Sequence, residues 1–257
     1  MSKSQIICGD CLEVLPRLPK AKMIFADPPD NLGLKYEGFV DKWPSDGAYL
    51  DWLCQMTSLA LGHADIFWLS YHYSWDFRLK GYLWHRQIPI FHGYAVKPYI
   101  WWFTFGQHRD SDNGNCFRPL LRFMKPWAQI YPDAIREPSA RQRQYHDKRA
   151  NAVGRVPGDV WDGVWQESRV CGTFKEKRRW HLNQHPEALM KRIILLSCRP
   201  GDLVIDLCAG TGTTLRVCKA LNIDCIGIEI SKFYCEQIIK EAAETGVKEV
   251  NQAALFP

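Results

Sequence analysis

The chain has 257 residues, of which 46% are hydrophobic and 24% are charged, and its formal net charge is +5. This length can bury a substantial core, and the composition excludes a disordered or fibrous protein. No run of about 18 apolar residues occurs, and the N-terminus Met-Ser-Lys-Ser-Gln lacks an apolar signal core. We therefore expect a cytoplasmic protein with no membrane partner, whose positive charge is compatible with nucleic acid.

Strands and helices are predicted to alternate in the first part of the chain. Residues 4–8 are expected to form one strand and 23–26 a second, which runs directly into Asp27-Pro28-Pro29-Asp30. Two prolines cannot continue a central strand, so the chain must leave the sheet there, at a strand's carboxyl end where α/β folds bind ligands. The next predicted elements are helix 47–61, strand 65–70, helix 74–81 and strand 99–105.

A loop-rich and basic stretch follows, over 106–157. Between 134 and 156 six positive charges stand against two negative ones. Such a run is ordinarily a solvated surface, but its side chains could also contact the phosphates or bases of a nucleic acid. These candidates are Arg136, Arg141, Arg143, Lys148, Arg149 and Arg155.

The alternating pattern returns after His185. We predict helices at 186–198, from 213 onward and at 231–243, and strands at 203–207 and 224–228. One mixed sheet thus draws strands from both ends of the chain. We accordingly divide the chain into 1–105, 106–157 and 158–257, with the first and last parts forming one sheet domain.

A glycine-rich segment, D-L-C-A-G-T-G-T-T at 206–214, indicates a ligand-binding turn between a strand and a helix. Gly210 and Gly212 let the backbone approach a ligand closely. Asp206 is placed to hold an amino-acid end, and Glu229, which closes the next strand, to take two ribose hydroxyls. No phosphate-binding lysine follows and the pattern is not G-x-G-x-x-G, so S-adenosylmethionine is favoured over a dinucleotide or nucleoside triphosphate.

The D-P-P-D segment has the chemistry needed to activate an aromatic exocyclic amine. The lone pair of such an amine is delocalised into the ring, so acceptors for its protons are required. A carboxylate, Asp27, and a rigidly held carbonyl, that of Pro28, can both be aimed at the NH₂ group.

These motifs, in this order, resemble the beta class of amino-group DNA methyltransferases, with D-P-P-D in place of D-P-P-Y. The stretch I-I-C-G-D-C-L-E-V-L-P-R-L-P at 6–19, G-D-V-W at 158–161 and H-L-N-Q-H-P-E-A-L-M at 181–190 are similar to further family segments. The resemblance implies a Rossmann-like mixed seven-stranded sheet with circularly permuted motifs, S-adenosylmethionine as cofactor, double-stranded DNA as partner, and 106–157 as the inserted target-recognition region. Its cofactor-binding residues would be Asp10, His181, Asn183, Gln184, Asp206, Cys208, Ala209, Gly210, Thr211, Gly212, Thr213 and Glu229; its catalytic ones Asp27, Pro28, Pro29 and Asp30.

Three positions depart from the family pattern. Cys208 stands where the family has a phenylalanine beside the adenine, and Leu182 where it has a proline. Asp30 replaces a tyrosine that stacks on the target base, and an aspartate cannot stack. Tyr36, Phe39 or Trp43 could supply the aromatic face instead, with Asp30 hydrogen-bonded to the base or at a solvated rim. A tyrosine at position 30 is then expected to be tolerated.

Several functions stay open at this stage. Adenine N6 is the expected target, with cytosine N4 as the alternative; an RNA or protein amine methylase and a catalytically inactive DNA-binding module are further alternatives. The 5-carbon cytosine methylases use a Pro-Cys thiolate, and this chain has no Pro-Cys dipeptide. A homodimer and a cognate restriction nuclease are conceivable partners. Cys8 and Cys11 have no second pair, and His181 and His185 no third ligand, so we expect no metal.

Overall fold

The computed structural model describes residues 2–103, 110–161, 170, 175–245 and 248–249. Its strands are β1 Ser4–Cys8, β2 Ala21–Ala26, β3 Lys35–Tyr36, β4 Phe39–Val40, β5 Ala64–Ser70, β6 Ala95–Trp102, β7 Phe117–Met124, β8 Val160–Trp161, β9 Leu203–Asp206, β10 Asp224–Glu229 and β11 Lys248–Glu249. Its α-helices are α1 Cys11–Val14, α2 Asp46–His63, α3 Asp76–His85, α4 Ile88–Phe91, α5 Ala140–Arg143, α6 Glu187–Ser197, α7 Thr213–Ala220 and α8 Lys232–Thr245.

A large mixed sheet organises the molecule. Within the described residues its strand order is β11-β1-β10-β9-β2-β5-β7-β6-β8. The strands from β11 to β5 are parallel, and β7 runs antiparallel between β5 and β6. The Rossmann-like mixed sheet is thus confirmed, with nine strands rather than seven. The two additional strands, β8 and β11, are two-residue edge strands, too short to leave a periodic signal.

The register of the central strands brings the two principal motifs together. Phe25 of β2 pairs with Asp206 of β9, and Cys8 of β1 pairs with Glu229 of β10. Because parallel strands end at the same edge, D-P-P-D and the glycine-rich turn emerge side by side. Segments from opposite ends of the chain therefore build one site.

Strand β7 lies inside the stretch 106–157, which the sequence assigned to an insertion. All eight of its residues pair with β6, and Leu120 to Met124 also pair with β5. Arg118 and Arg122 interrupt its apolar pattern, which explains why the sequence predicted no strand here. The sheet domain therefore also includes Phe117–Met124. Residues 104–105, at the end of the predicted strand 99–105, lie outside the described residues.

Helices cover both faces of the sheet. On one face α2 begins where Ser45 accepts a hydrogen bond from the Ala48 amide, and it buries Leu53 and Leu61 completely. On the other face α6 buries Ile193 and Ile194, and α7 buries Leu215. Each face thus has its own apolar core, which holds the strand ends in place.

None of the described helices is long and apolar enough to cross a membrane.

Candidate active site

A cavity of about 880 Å³ opens at the carboxyl edge of the sheet. Ligand sites commonly measure about 300–1,000 Å³, so it has room for a cofactor and a base. Its lining includes the whole D-P-P-D segment, Tyr36, Phe39 and every predicted cofactor residue except Gly212. The residues predicted from two distant parts of the sequence are therefore brought together.

Two buried carboxylates mark one half of this cavity. Asp206 accepts hydrogen bonds from the Cys208 amide at 3.1 Å and the Thr214 hydroxyl at 2.5 Å. Glu229 accepts from the amides of Gly210 at 2.8 Å and Ser231 at 2.9 Å. Burial raises the pKa of Asp206 to about 6 and that of Glu229 to about 7. Both carboxylates would be stabilised by a ligand that brings a cation or hydroxyl donors.

The two glycines of the turn act differently. Gly210 has φ +52° and faces the cavity, where an added Cβ would come 3.4 Å from His181 Nε2. Gly212 has φ +71° at the N-cap of α7, and an added Cβ would meet Ile238 at 3.3 Å. Gly212 therefore acts through the turn and its packing against α8.

The remaining predicted cofactor residues surround this turn. Asp10 caps α1 by accepting the Leu12 amide at 2.8 Å. His181 contacts the Asn183 carbonyl through Nδ1, and burial lowers its pKa to about 4, so the ring is neutral. Gln184 donates to the Glu176 carbonyl at 2.7 Å and accepts from the Arg178 amide at 2.8 Å. Its amide thus stabilises the preceding loop while the residue lines the cavity.

Asp27 lies in the other half of the cavity, between an arginine and a histidine. Arg118 Nη2 lies 2.6 Å from Asp27 Oδ1, and His185 Nδ1 lies 3.2 Å from Asp27 Oδ2. Burial tends to raise the pKa of Asp27, but Arg118, His185 and hydrogen bonds from Ser70 and Arg118 outweigh it and hold the pKa below its ordinary value. Asp27 is therefore an ionised carboxylate at neutral pH.

Asp30 is not at a solvated rim. It is 9% exposed, and Arg118 reaches it through both terminal nitrogens, at 2.8 Å from Oδ2 and 3.0 Å from Oδ1. The His72 amide also donates to Asp30 Oδ1 at 2.8 Å, and Trp75 Nε1 donates to the Asp30 carbonyl at 2.7 Å. Asp30 is therefore part of a buried ion pair.

Tyr36 and Phe39, two candidates for stacking on the target base, lie in the hairpin β3-β4. Tyr36 and Phe39 stack on each other, with ring centroids 5.0 Å apart and 9° between planes. The Tyr36 hydroxyl accepts from Asn183 Nδ2 at 3.0 Å, and its ring lies 5.6 Å from that of His181. This pair therefore joins the cofactor-binding segment to the base side of the cavity.

Sequence reasoning missed Arg118 and Ser70 and considered His185 only as a metal ligand. Arg118 lay within the predicted insertion, and nothing local indicates that it reaches D-P-P-D. In the part of the chain that the structure describes, no three His, Cys, Asp or Glu side chains are arranged to hold a metal ion.

Known proteins are similar to the chain in sequence and in fold. A family model described as DNA methylase, covering N6 and N4 amino methyltransferases, matches residues 21–241. The DNA adenine methyltransferase YhdJ of Escherichia coli (strain K12) is 32% identical over an alignment of length 247 that covers 89% of this chain and 79% of that protein. The type II methyltransferase M.HpaI of Haemophilus parainfluenzae is 30% identical over an alignment of length 246 that covers 90% of this chain and 72% of that protein.

The chain belongs to the N6/N4 DNA methylase family.

Solved structures agree on the fold. The M1.HpyAVI–SAM complex superposes on this methyltransferase with a TM-score of 0.57 at 21% identity, covering 92% of this chain and 98% of that one. The PvuII DNA methyltransferase, described as cytosine-N4-specific, gives a TM-score of 0.68 at 14% identity, covering 97% and 95%. The methyltransferase uses S-adenosylmethionine as its cofactor, and the cavity's two buried carboxylates fit its ammonium and its ribose hydroxyls.

The six basic residues proposed to contact DNA fall into two groups. Arg141, Arg143 and Lys148 are exposed, lie in or near α5 and form no ion pair within the described residues. The other three already pair within the methyltransferase: Arg136 with Asp133 at 2.7 Å, Arg149 with Asp147 at 3.0 Å, and Arg155 with Glu137 at 2.7 Å.

The Glu137–Arg155 pair anchors the basic segment 134–156 to the sheet domain. Its two residues form an antiparallel bridge, and Glu137 is also 3.4 Å from the fully buried Arg192 of α6. A phosphate would have to compete with Glu137 for Arg155. This favours an anchoring role for Arg155 and leaves Arg141, Arg143 and Lys148 as the stronger candidates for DNA contact.

Proposed function

We propose that this DNA methyltransferase transfers the methyl group of S-adenosylmethionine to N6 of an adenine flipped out of double-stranded DNA. The observation that carries the proposal is the ionised Asp27 at the di-proline, in the same cavity as the carboxylates of the cofactor turn. A paired base cannot reach such a cavity, so the target must leave the helix.

Asp27 and the Pro28 carbonyl would accept the two amine protons. A carboxylate has about four acceptor positions, and Arg118, His185 and Ser70 all contact Asp27, so about one position remains for an amine N–H. The Pro29 carbonyl is taken by the Tyr49 hydroxyl at 2.9 Å, which holds the di-proline against α2. The negative charge of Asp27 would stabilise the positive charge that develops on the nitrogen, with no covalent enzyme intermediate.

The other half of the cavity would hold the cofactor. Asp206 would bind its amino group, Glu229 its ribose hydroxyls, and Asp10 and Cys208 would lie near its adenine. When bound, S-adenosylmethionine supplies an electrophilic methyl group on its sulfonium. The chain's own task is to orient that methyl toward the amine and to keep water away, for which the neutral His181 and the stacked Tyr36 and Phe39 are well placed.

Adenine is favoured over cytosine by the carboxylate at position 27 and by the relative whose name specifies adenine. Modified-base sequencing of DNA from an expressing, methylation-free host tests this directly. We expect N6-methyladenine at one defined sequence. N4-methylcytosine alone would contradict the choice of base, and no modified base would favour the inactive DNA-binding module.

We further propose the exposed part of 106–157 as the DNA-recognition element. A homodimer and a cognate nuclease are proposals as well; the nuclease is suggested by relatives named type II methyltransferases. Sedimentation with and without a duplex that contains the methylated sequence would give the stoichiometry.

A further inference from the structure

Both aspartates of D-P-P-D converge on Arg118, at the top of β7. Its Nη2 lies 2.6 Å from Asp27 Oδ1 and 3.0 Å from Asp30 Oδ1, and its Nη1 lies 2.8 Å from Asp30 Oδ2. Its Nε donates to Ser70 Oγ at 2.7 Å. All three nitrogens of the guanidinium are therefore engaged, and its place relative to Asp27 is fixed.

Arg118 also supplies the positive charge that this buried site requires. Two carboxylates in one buried site repel each other and resist ionisation. Burial lowers the pKa of His185 and lowers that of His181 to about 4, so at neutral pH neither ring is charged, and His185 can add to the effect of Arg118 on Asp27 only at acidic pH. The titratable groups that act electrostatically with Asp27 are Tyr36, Tyr49, Arg118, His181, His185 and Asp206, with Asp30 across Arg118. Among these, Arg118 is the cation.

We propose that Arg118, clamped by Asp30, is a positioning residue that holds Asp27 ionised and oriented toward the target amine. The inference rests on the proposed function and deepens it. It gives Asp30 a role that differs from base stacking: it orients the arginine that orients Asp27.

The anchoring of Asp30 supports this role. The His72 amide and the Trp75 indole hold its side chain and its carbonyl, so Asp30 cannot follow a base into the cavity without losing buried hydrogen bonds. A tyrosine at position 30 would remove the two-pronged partner of Arg118. The guanidinium would then remain on Asp27 alone and compete with the amine. Asp30→Tyr is therefore expected to be harmful, contrary to the expectation from the family pattern.

The pH dependence of methyl transfer tests the proposal. Single-turnover rates with saturating cofactor and a duplex that contains the methylated sequence are measured for wild type, Arg118→Gln and Arg118→Lys. Removing the cation should raise the pKa of Asp27, so the acidic limb of the Arg118→Gln profile should move upward by about 1–3 pH units. The rate at pH 7 should fall about 10²-fold, mainly because Asp27 loses its orientation rather than its charge, so a higher pH should restore little of it. Arg118→Lys, which keeps the charge but not the fork, should shift the limb less.

Arg122→Gln is the matched control. Arg122 is another buried arginine on the same strand, and its guanidinium lies over the rings of Trp68 and Tyr99. This variant loses the same kind of side chain and should leave the acidic limb in place. An Arg118→Gln variant that is slower at every pH, with an unmoved limb, would show a merely structural role and overturn the proposal.

A direct titration separates this proposal from the proposed function. ¹³C NMR of carboxyl-labelled aspartates, with the Asp27 signal assigned from Asp27→Asn, reports the pKa of Asp27 without DNA. We expect a higher pKa in Arg118→Gln and an unchanged one in Arg122→Gln. An unchanged Asp27 titration in folded Arg118→Gln would refute the positioning role, whereas a wild-type enzyme that methylates no DNA amine would refute the proposed function.

Discussion

The two halves of the cavity hold their carboxylates in different ways. On the cofactor side, Asp206 and Glu229 are held largely by amides of nearby loop residues, and burial raises the pKa of both. On the catalytic side, Asp27 and Asp30 are held by a guanidinium from β7, and the pKa of Asp27 is lowered. One half therefore gains from a ligand that brings positive charge, whereas the other is already charge-compensated before the base arrives.

This difference also predicts which residues can be substituted without affecting their neighbours. A carboxylate held by backbone amides depends on the local turn, so a substitution there should affect one ligand contact. A carboxylate held by a shared arginine is coupled to the other residues that contact the same arginine. The effects of substitutions in the half that holds D-P-P-D should therefore not be additive.

The largest effect is expected at Asp27. Asp27→Ala removes the charge that stabilises the developing positive nitrogen, so turnover should fall by about 10²–10³ or more. Asp27→Asn should be nearly as harmful, because its amide can present donors to the amine's own hydrogens. Calorimetry should show cofactor affinity retained in both. A fully active Asp27→Ala enzyme would overturn the mechanism.

Coupling between Asp30 and Arg118 is the next test. The effects of Asp30→Asn and Arg118→Gln on the rate should overlap, with an interaction of about 0.5–3 kcal/mol in a double-mutant cycle. Asp206→Asn combined with Arg118→Gln serves as the cross-cavity control and should be closer to additive. Additive losses at positions 30 and 118 would mean that the two residues act separately.

On the cofactor side, Glu229→Ala should weaken S-adenosylmethionine binding by about 1–3 kcal/mol, the range for removing hydrogen bonds to a charged group. The rate at saturating cofactor should change little, since Asp27 keeps its partners. Isothermal titration and single-turnover kinetics measure the two quantities separately. Unchanged cofactor affinity in both Glu229→Ala and Asp206→Ala would contradict the assignment.

Cofactor affinity should also depend on pH. In the free protein the pKa of Glu229 is about 7 and that of Asp206 about 6, both above their ordinary values. A ligand that binds their ionised forms releases protons, so affinity should rise with pH, about tenfold or more between pH 5.5 and 7.5. The stability of the protein without cofactor should change in the opposite direction. Because the pKa values of both groups are raised in the folded state, their contribution to the free energy of unfolding falls as pH rises through the same range. Titrations in buffers of different ionisation enthalpy would detect the released protons, and a pH-independent affinity would exclude this linkage.

The smallest effects are expected for substitutions in the proposed DNA-recognition element. Alanine at Arg141, Arg143 and Lys148 together should lower the slope of log affinity for DNA against log salt, by about 0.9 for each phosphate that the protein no longer neutralises. Cofactor affinity should not change. Arg155→Ala is the comparison variant, because it should lower the unfolding midpoint by breaking its pair with Glu137. An unchanged slope in the triple variant would exclude these residues as partners of the DNA phosphates.

Local motifs carried most of what the sequence could predict. The cofactor turn depends on neighbouring residues, so Asp206, Gly210 and Glu229 were identified together and lie together. The long helices and the strands of four residues or more have clear periodicity, and most were placed correctly. Strand β7 and the role of Asp30 were not predictable, because both depend on Arg118 reaching residues that are remote in sequence.

The pairing of β2 with β9 also has a consequence for how the chain is made. Strand β1 lies between β10 and β11, and β2 pairs with β9 on one side. The first two strands to be synthesised can therefore pair with these neighbours only after the last strands have been synthesised. These contacts join residues that are far apart in sequence, and a large mean sequence separation between contacting residues slows folding. Asp27 therefore leaves the ribosome early but gains its neighbour Asp206 late. Until then β2 has an open edge, the kind of surface on which nascent chains associate and chaperones act.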